Sequence, residues 1–285
     1  MPVATLTELL QNGVHFGHQT SRWNPKMRPY IFASRGGIHI LDVAQTVDLL
    51  GEACQFAHDT VAQGGQILFV GTKKQAHDTI EEECARSGQP YVVNRWMGGM
   101  LTNFEVVKLQ LKRLTELSDQ KERDGFAGMI KKEQRRREDD LARLVRNFGG
   151  ITNMKRLPAA LFVVDPHKER LAVTEANKLN IPIIAITDSN CDPDEIAYVI
   201  PGNDDAIRSV RLIVSRITDA IVSGLDERRQ IELAQAQAAA ERAAQLRADQ
   251  ESAARAAAEQ EAAAEEEPAE SGDGPAVTTP TEDPQ

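Results

Sequence analysis

Residues 21–30 read SRWNPKMRPY, so Arg22, Lys26 and Arg28 surround Trp23 and Tyr30. Guanidinium and ammonium groups neutralise phosphates, and flat rings stack on unpaired bases, so this mixture suits RNA. Arg95-Trp96-Met97-Gly98-Gly99 repeats the theme, with two glycines that let a backbone approach closely. The plainer reading is that each indole plugs the edge of a core and each cation is solvated surface; for Trp96 the two readings carry equal weight. His15-x-x-His18 invites a metal hypothesis, with Asp188, Asp192 and Asp205 as possible further ligands. Gly13 and Gly17 make a shared helical face doubtful, and loop histidines that satisfy backbone or meet a partner are the simpler expectation.

A third basic group lies in residues 103–150. Lys131, Lys132, Arg135, Arg136 and Arg137 crowd one stretch, and residues 104–157 hold 14 Lys and Arg against 9 Asp and Glu. Val106, Val107, Leu109, Leu111, Leu114 and Leu117 recur at helical spacing, as do Leu141, Leu144, Val145 and Phe148. Asp124-Gly125 and Gly128 separate the two runs, which predicts an antiparallel helical hairpin with one narrow apolar seam. Its remaining faces are too polar to pack onto a sheet, so it should protrude. A solvated coiled coil, with Glu133 and Glu138 pairing neighbouring cations, is the alternative to an RNA-gripping arm.

The elements that must position these groups alternate. A capped helix over 5–12 precedes an aperiodic loop over 13–30, and a hairpin over 31–41 carries Arg35 in its turn. A helix over 43–62, capped by Asp42, comes next. Apolar runs at 66–70, 91–94, 160–164, 183–187 and 198–200 then alternate with helices, which predicts a parallel sheet covered on both faces. The reading is an α/β, flavodoxin-like, doubly wound sheet of about five strands with a protruding antiparallel helical hairpin insert. Residues 1–102 and 151–225 form the globular part, 103–150 the insert, and 226–285 an acidic Ala/Glu-rich extension, partly helical and then disordered in composition.

The strand ends raise an enzymatic alternative. Lys73 and Lys74 could hold a phosphate at a helix N-terminus, making a phosphate- or nucleotide-binding α/β enzyme. No G-x-G-x-x-G or G-x-x-x-x-G-K-[ST] accompanies them, so solvated lysines at a helix start are the favoured reading.

The chain has 285 residues and a formal net charge of -10. Residues 226–285 carry 5 Arg against 15 Asp and Glu, leaving 28 of each sign in 1–225. The acidity therefore belongs to the extension, and it does not exclude a nucleic-acid partner for a balanced body with basic patches. Three widely spaced cysteines, Cys54, Cys84 and Cys191, argue for reduced thiols in the cytoplasm rather than a disulfide framework or zinc knuckle. Neither a signal peptide nor an apolar run of ~18 residues is seen, so no membrane partner is expected.

The motifs also carry a resemblance. Val14-His15-Phe16-Gly17-His18 with Arg22-Trp23-Asn24-Pro25-Lys26-Met27, Arg95 through Asn103, 157–165, 181–185 and 200–206 stand in the same order as in the bacterial small-subunit ribosomal protein two family. The resemblance covers about 3–225; the extension lies beyond the family's common core. It implies a structural, non-enzymatic, cofactor-free constituent of the small ribosomal subunit, cytoplasmic and not a homo-oligomer. Its partners would be small-subunit ribosomal RNA between head and body and neighbouring ribosomal proteins, including the messenger-binding first protein. Carried over to this chain, it places His15, His18, Arg22, Trp23, Asn24, Lys26, Arg28, Arg35, Arg95, Trp96, Asn103, Lys131, Lys132, Arg135, Arg136 and Arg137 near RNA or protein partners. Some relatives hold a metal near the first loop, for which His18, Asp188 and Asp205 are the candidates here.

Overall fold

The computed structural model describes residues 4–265, and these fall into two compact units that divide between residues 230 and 231. In the first unit, α1 (Leu6–Gln11) is capped by the Thr5 hydroxyl, which accepts from the Glu8 amide at 3.2 Å. Then come β1 (Phe16–Gln19), β2 (Ile31–Arg35) and β3 (Ile38–Leu41), an antiparallel sheet in the order β1-β3-β2. The segment 13–30, expected as loop, thus contains a strand, followed by two 3-10 turns, Thr20–Arg22 and Pro25–Tyr30. Its pairing with β3 is long-range and irregular in register, so no local alternation announces it.

Asp42 caps α2 (Val43–Ala62) through the Ala44 amide at 3.1 Å. The main sheet follows: β4 (Ile67–Val70), β5 (Tyr91–Val92), β6 (Ala160–Val164), β7 (Ile183–Thr187) and β8 (Tyr198–Pro201). All four pairings are parallel and the order is β5-β4-β6-β7-β8, the flavodoxin-like arrangement. Helices α3 (Lys74–Ser87), α6 (Arg170–Lys178) and α7 (Ile207–Glu265) complete the alternation.

Successive residues of each strand serve opposite layers, as a pleated backbone requires. Ile67, Phe69, Phe162, Val164, Ile184 and Ile186 pack with α2, α3 and α7 residues such as Leu50, Ile80, Ile213 and Ile217. Leu68, Val70, Leu161, Val163, Ile183 and Ala185 face the other way, onto Ala172, Val173 and Ala176 of α6. That second core runs on without a break through Trp96, Met100 and Phe104 into the insert.

The insert is α4 (Phe104–Asp124) and α5 (Lys131–Phe148). Val107, Leu111, Leu114 and Leu117 face Leu141, Leu144 and Phe148 along one buried seam. Val106, Leu109 and Val145, which the spacing put among the apolar positions of the arms, lie outside it and are exposed. Phe126 closes the turn, fully buried, with a backbone φ of 62° and its amide held by the Asp124 carboxylate. At the root, Gly150 comes so close to Tyr91 that an added Cβ would stand 2.3 Å from its carbonyl oxygen, which bars any larger residue.

In the second unit the described residues are the remainder of α7, which ends at Glu265. The disordered composition noted beyond it falls on 266–285, outside the described residues.

Leu114→Ala should destabilise the seam by about 2–3 kcal/mol, read as faster amide exchange across α4 and α5 with little change in the sheet. Burial raises all three thiol pKa values, that of Cys54 to about 12, so native protein at pH 8 should resist iodoacetamide while unfolded protein takes up three labels.

Candidate nucleic-acid interface

The first loop is clipped to the carboxyl ends of the main strands. Gly17 approaches so closely that an added Cβ would lie 3.0 Å from Ser189 Oγ and 3.1 Å from Asp188 Oδ1. The His18 amide donates to Asp188 Oδ1 at 3.0 Å and to Ser189 Oγ at 2.9 Å. Its ring is gripped on both sides, Nδ1 at 2.9 Å from Asp188 and Nε2 at 3.4 Å from Asp205. The hydrogen bond to Asp188 holds the His18 pKa above its ordinary value against the opposing effect of burial. Asn24 donates its amide to the Ser189 carbonyl at 2.8 Å, and its side chain caps the turn at the Lys26 amide. Lys26 Nζ sits 2.7 Å from both Asp192 and Asp194, on the surface. His18, Asn24 and Lys26 therefore all hold partners within the chain.

Other first-loop residues are free to reach outward. Arg22, Arg28 and Arg35 are exposed, and their side chains make no hydrogen bond or ion pair among the described residues. Trp23 is half-buried, its ring 5.2 Å from that of buried His39. His15 lies against Phe16 at 4.0 Å, and burial lowers its pKa, which favours the neutral ring. Tyr30 packs, partly buried, against the core that also holds Trp96, Met100 and Leu101.

In that second loop the packing of Trp96 favours the core reading of its ring over the stacking one. Trp96 is 5% exposed and donates Nε1 to Glu175 at 3.1 Å, so its ring serves the core and offers no stacking face. Arg95 and Asn103, on either side, are exposed. Asn94 reaches the Arg146 carbonyl at 2.9 Å and so ties the loop to the insert. On α5, Lys131, Lys132, Arg135 and Arg136 are exposed and unpaired among the described residues. Arg137 is half-buried and engaged by Gln120 at 3.5 Å and Glu133 at 3.9 Å.

At the strand ends, Lys73 Nζ lies 2.7 Å from Asp165, 2.8 Å from Asp204 and 2.8 Å from Asp205. Burial, then repulsion from Asp165 and Asp188, pushes Asp204 up to about 7 even beside this ammonium. The metal expectation also shifts. Asp188 and Asp205 meet opposite nitrogens of His18, whereas ligand atoms of His18, Asp188 and Asp204 converge within 4.8 Å. One imidazole and two carboxylates suit a divalent ion, and Asp204 Oδ2 has no hydrogen-bond partner among the described residues while Oδ1 meets the Lys73 ammonium, so the residues fit such a group. Asp204 escapes a sequence reading focused on histidine spacing; its one signal is the Asn-Asp-Asp run after the last strand.

The family model described as ribosomal protein S2 matches residues 9–224. The small ribosomal subunit protein uS2 of Roseiflexus castenholzii is 54% identical over 246 residues, covering 84% of this chain and 94% of the relative. The uS2 protein of Sorangium cellulosum is 53% identical over 82% of this chain and 84% of its own length. That of Chloroflexus aggregans is 54% identical over 79% of this chain and 95% of its own length. With the matched span enclosing the parallel sheet, both arginine loops and the helical insert, the chain belongs to the ribosomal protein S2 family.

Proposed function

We propose that this chain is a structural constituent of the small ribosomal subunit, and that it holds small-subunit ribosomal RNA rather than transforming a substrate. The observation that carries the reading is the set of exposed cations whose side chains have no partner among the described residues: Arg22, Arg28, Arg35, Arg95, Lys131, Lys132, Arg135 and Arg136. On a body whose charges balance overall, these groups are available to phosphates and release condensed counterions on contact. Trp23 adds an aromatic surface to the first loop. Lys26, His15, His18, Asn24 and Asn103 belong to the same faces, as support for the loops or as contacts with neighbouring subunit proteins, the messenger-binding first protein among them. The seat is between head and body, in a cytoplasmic ribosome, with the insert reaching RNA of more than one subunit domain. Among the described residues no helix is long and apolar enough to cross a membrane.

The competing reading places a phosphate at Lys73. Three carboxylates already surround that ammonium, and a phosphate brought there would meet their repulsion. The cluster is better suited to holding the fold together than to binding an anion.

Reconstitution tests the RNA reading. Purified chain should bind small subunits stripped of their copy, with affinity falling steeply as salt rises. Changing Lys131, Lys132, Arg135 and Arg136 to Glu should weaken binding at least tenfold and flatten the salt slope, by about 0.9 for each phosphate that the insert no longer neutralises. An unchanged slope would remove the insert from the interface. Lys73→Met should cost about 3 kcal/mol of folding stability in urea melts, because it leaves buried carboxylates without a counter-charge. Saturable nucleotide binding by the wild type, abolished by that change, would favour the enzyme instead.

A further inference from the structure

Glu175 is a buried carboxylate in α6, 8% exposed, with no ion-pair partner among the described residues. Five donors from one short segment converge on it. Oε1 accepts from Trp96 Nε1 at 3.1 Å and from the Gly99 amide at 2.7 Å. Oε2 accepts from the Leu101 amide at 3.0 Å, the Thr102 amide at 3.1 Å and the Thr102 hydroxyl at 3.1 Å. Three backbone amides aimed at one point form the kind of concave seat that elsewhere binds free anions. Here the seat is filled from within the chain, by a helix more than 70 residues further on in the sequence.

Besides this seat, the segment is held by the burial of Trp96, Met100 and Leu101 and by turn bonds from the Met100 amide to the Met97 carbonyl at 3.1 Å and from the Asn103 amide to the Gly99 carbonyl at 2.9 Å. Asn94 anchors it before Arg95, and Phe104 begins α4 immediately after Asn103. Within it, Gly99 takes φ +88°, and the amides of Leu101 and Thr102 have Glu175 as their partner. The exposed residues Arg95 and Asn103 stand at its two ends. We propose that Glu175 is a positioning residue for nucleic-acid binding: by gathering residues 96–102 around its carboxylate it sets where Arg95 and Asn103 are presented and how the root of α4 is placed. The inference rests on the RNA-binding reading above and assigns Glu175 no contact with RNA.

The chemistry of the donor set points to the ionised form. Burial by itself would raise the carboxyl pKa, but bonds from Thr102, Trp96, Gly99 and Leu101 hold it below the ordinary value. A carboxylate offers about four lone-pair sites and no hydrogen, which matches a ring of donors. A glutamine of the same shape offers one carbonyl and turns an NH2 group toward amides that also donate. Glu175→Gln therefore keeps the volume and breaks the seat.

A double-mutant cycle on the full chain separates positioning from plain stability. Binding to small subunits stripped of their own copy is measured for wild type, Glu175→Gln, Arg95→Ala and the double variant, each corrected for its folded fraction. Glu175→Gln should weaken binding about tenfold, and Arg95→Ala should then cost much less than it does in the wild type. Amides of Gly99, Leu101 and Thr102 should exchange faster in Glu175→Gln, and Trp96 emission, read in a Trp23→Phe background, should shift to the red. Should Glu175→Gln fail to fold, Thr102→Val removes one of the five donors and takes its place in the cycle, with a smaller coupling expected. Equal cost of Arg95→Ala in both backgrounds overturns the proposal. So does wild-type binding that neither Arg95→Ala nor Asn103→Ala disturbs, since the segment would then lie away from RNA. Absence of salt-dependent wild-type binding defeats the RNA reading itself, whatever Glu175→Gln does.

Discussion

A parallel sheet covered on both faces can offer polar groups only at its strand ends, and here those ends collect carboxylates. Asp165 follows β6, Asp188 follows β7, and Asp204 and Asp205 follow β8. Three of the four are nearly inaccessible to water. Like charges buried together cannot all persist without counter-charge or protonation. Lys73, from the turn after β4, and His18, from β1, supply the counter-charge, and the raised pKa of Asp204 shows how tight the balance is. The cluster thus joins the first, third, fourth and fifth core strands in chain order to the small antiparallel sheet. The loop that carries Arg22 and Trp23 leaves from that anchored point, so its placement depends on this ionic knot.

The same reasoning sorts the cations of the molecule. Lys73 and His18 are committed to buried acids, and Arg137 is half-committed to Gln120 and Glu133. Lys26 lies between Asp192 and Asp194 at the surface, where a solvated pair exchanges readily for another anion. Arg22, Arg28, Arg35, Arg95 and four cations of α5 have no such partner among the described residues. Residue type does not separate these groups; local neutralisation does. A sequence motif rich in arginine and lysine overstates its own binding surface until the partners inside the chain are known.

Legibility followed the range of the interactions. The bounds of α2 were readable because Asp42 caps it locally, and the end of α3 because Gly88 takes the left-handed conformation. The five strands were readable as short apolar runs, with β5 shorter than its run suggested because its pairing ends at Val92. By contrast, β1 exists through β3, and His18 is held by Asp188 across 170 positions. Helical spacing put Val106, Leu109 and Val145 among the apolar residues of the arms, but a two-helix seam is too narrow to bury them all. For Trp96 the spacing was silent; the deciding partner, Glu175, sits on a distant helix that nothing in the local pattern connects with it.

Net charge was the least informative number of all. A sequence pI near 5.2 describes an acidic chain, and a whole-molecule view would set it apart from nucleic acid. Yet electrostatic influence fades over about 8 Å at physiological salt, so a phosphate responds to the groups beside it and hardly to the total. Residues 226–285 account for the entire excess of negative charge, leaving 1–225 balanced. Within that balanced part, the buried acids at the strand ends neutralise some cations and leave others exposed on two loops and one helix. Under the proposed RNA-binding role, binding is governed by how the charges of this chain are segregated, and segregation is produced by folding: the same residues in an unfolded chain would present no basic face at all.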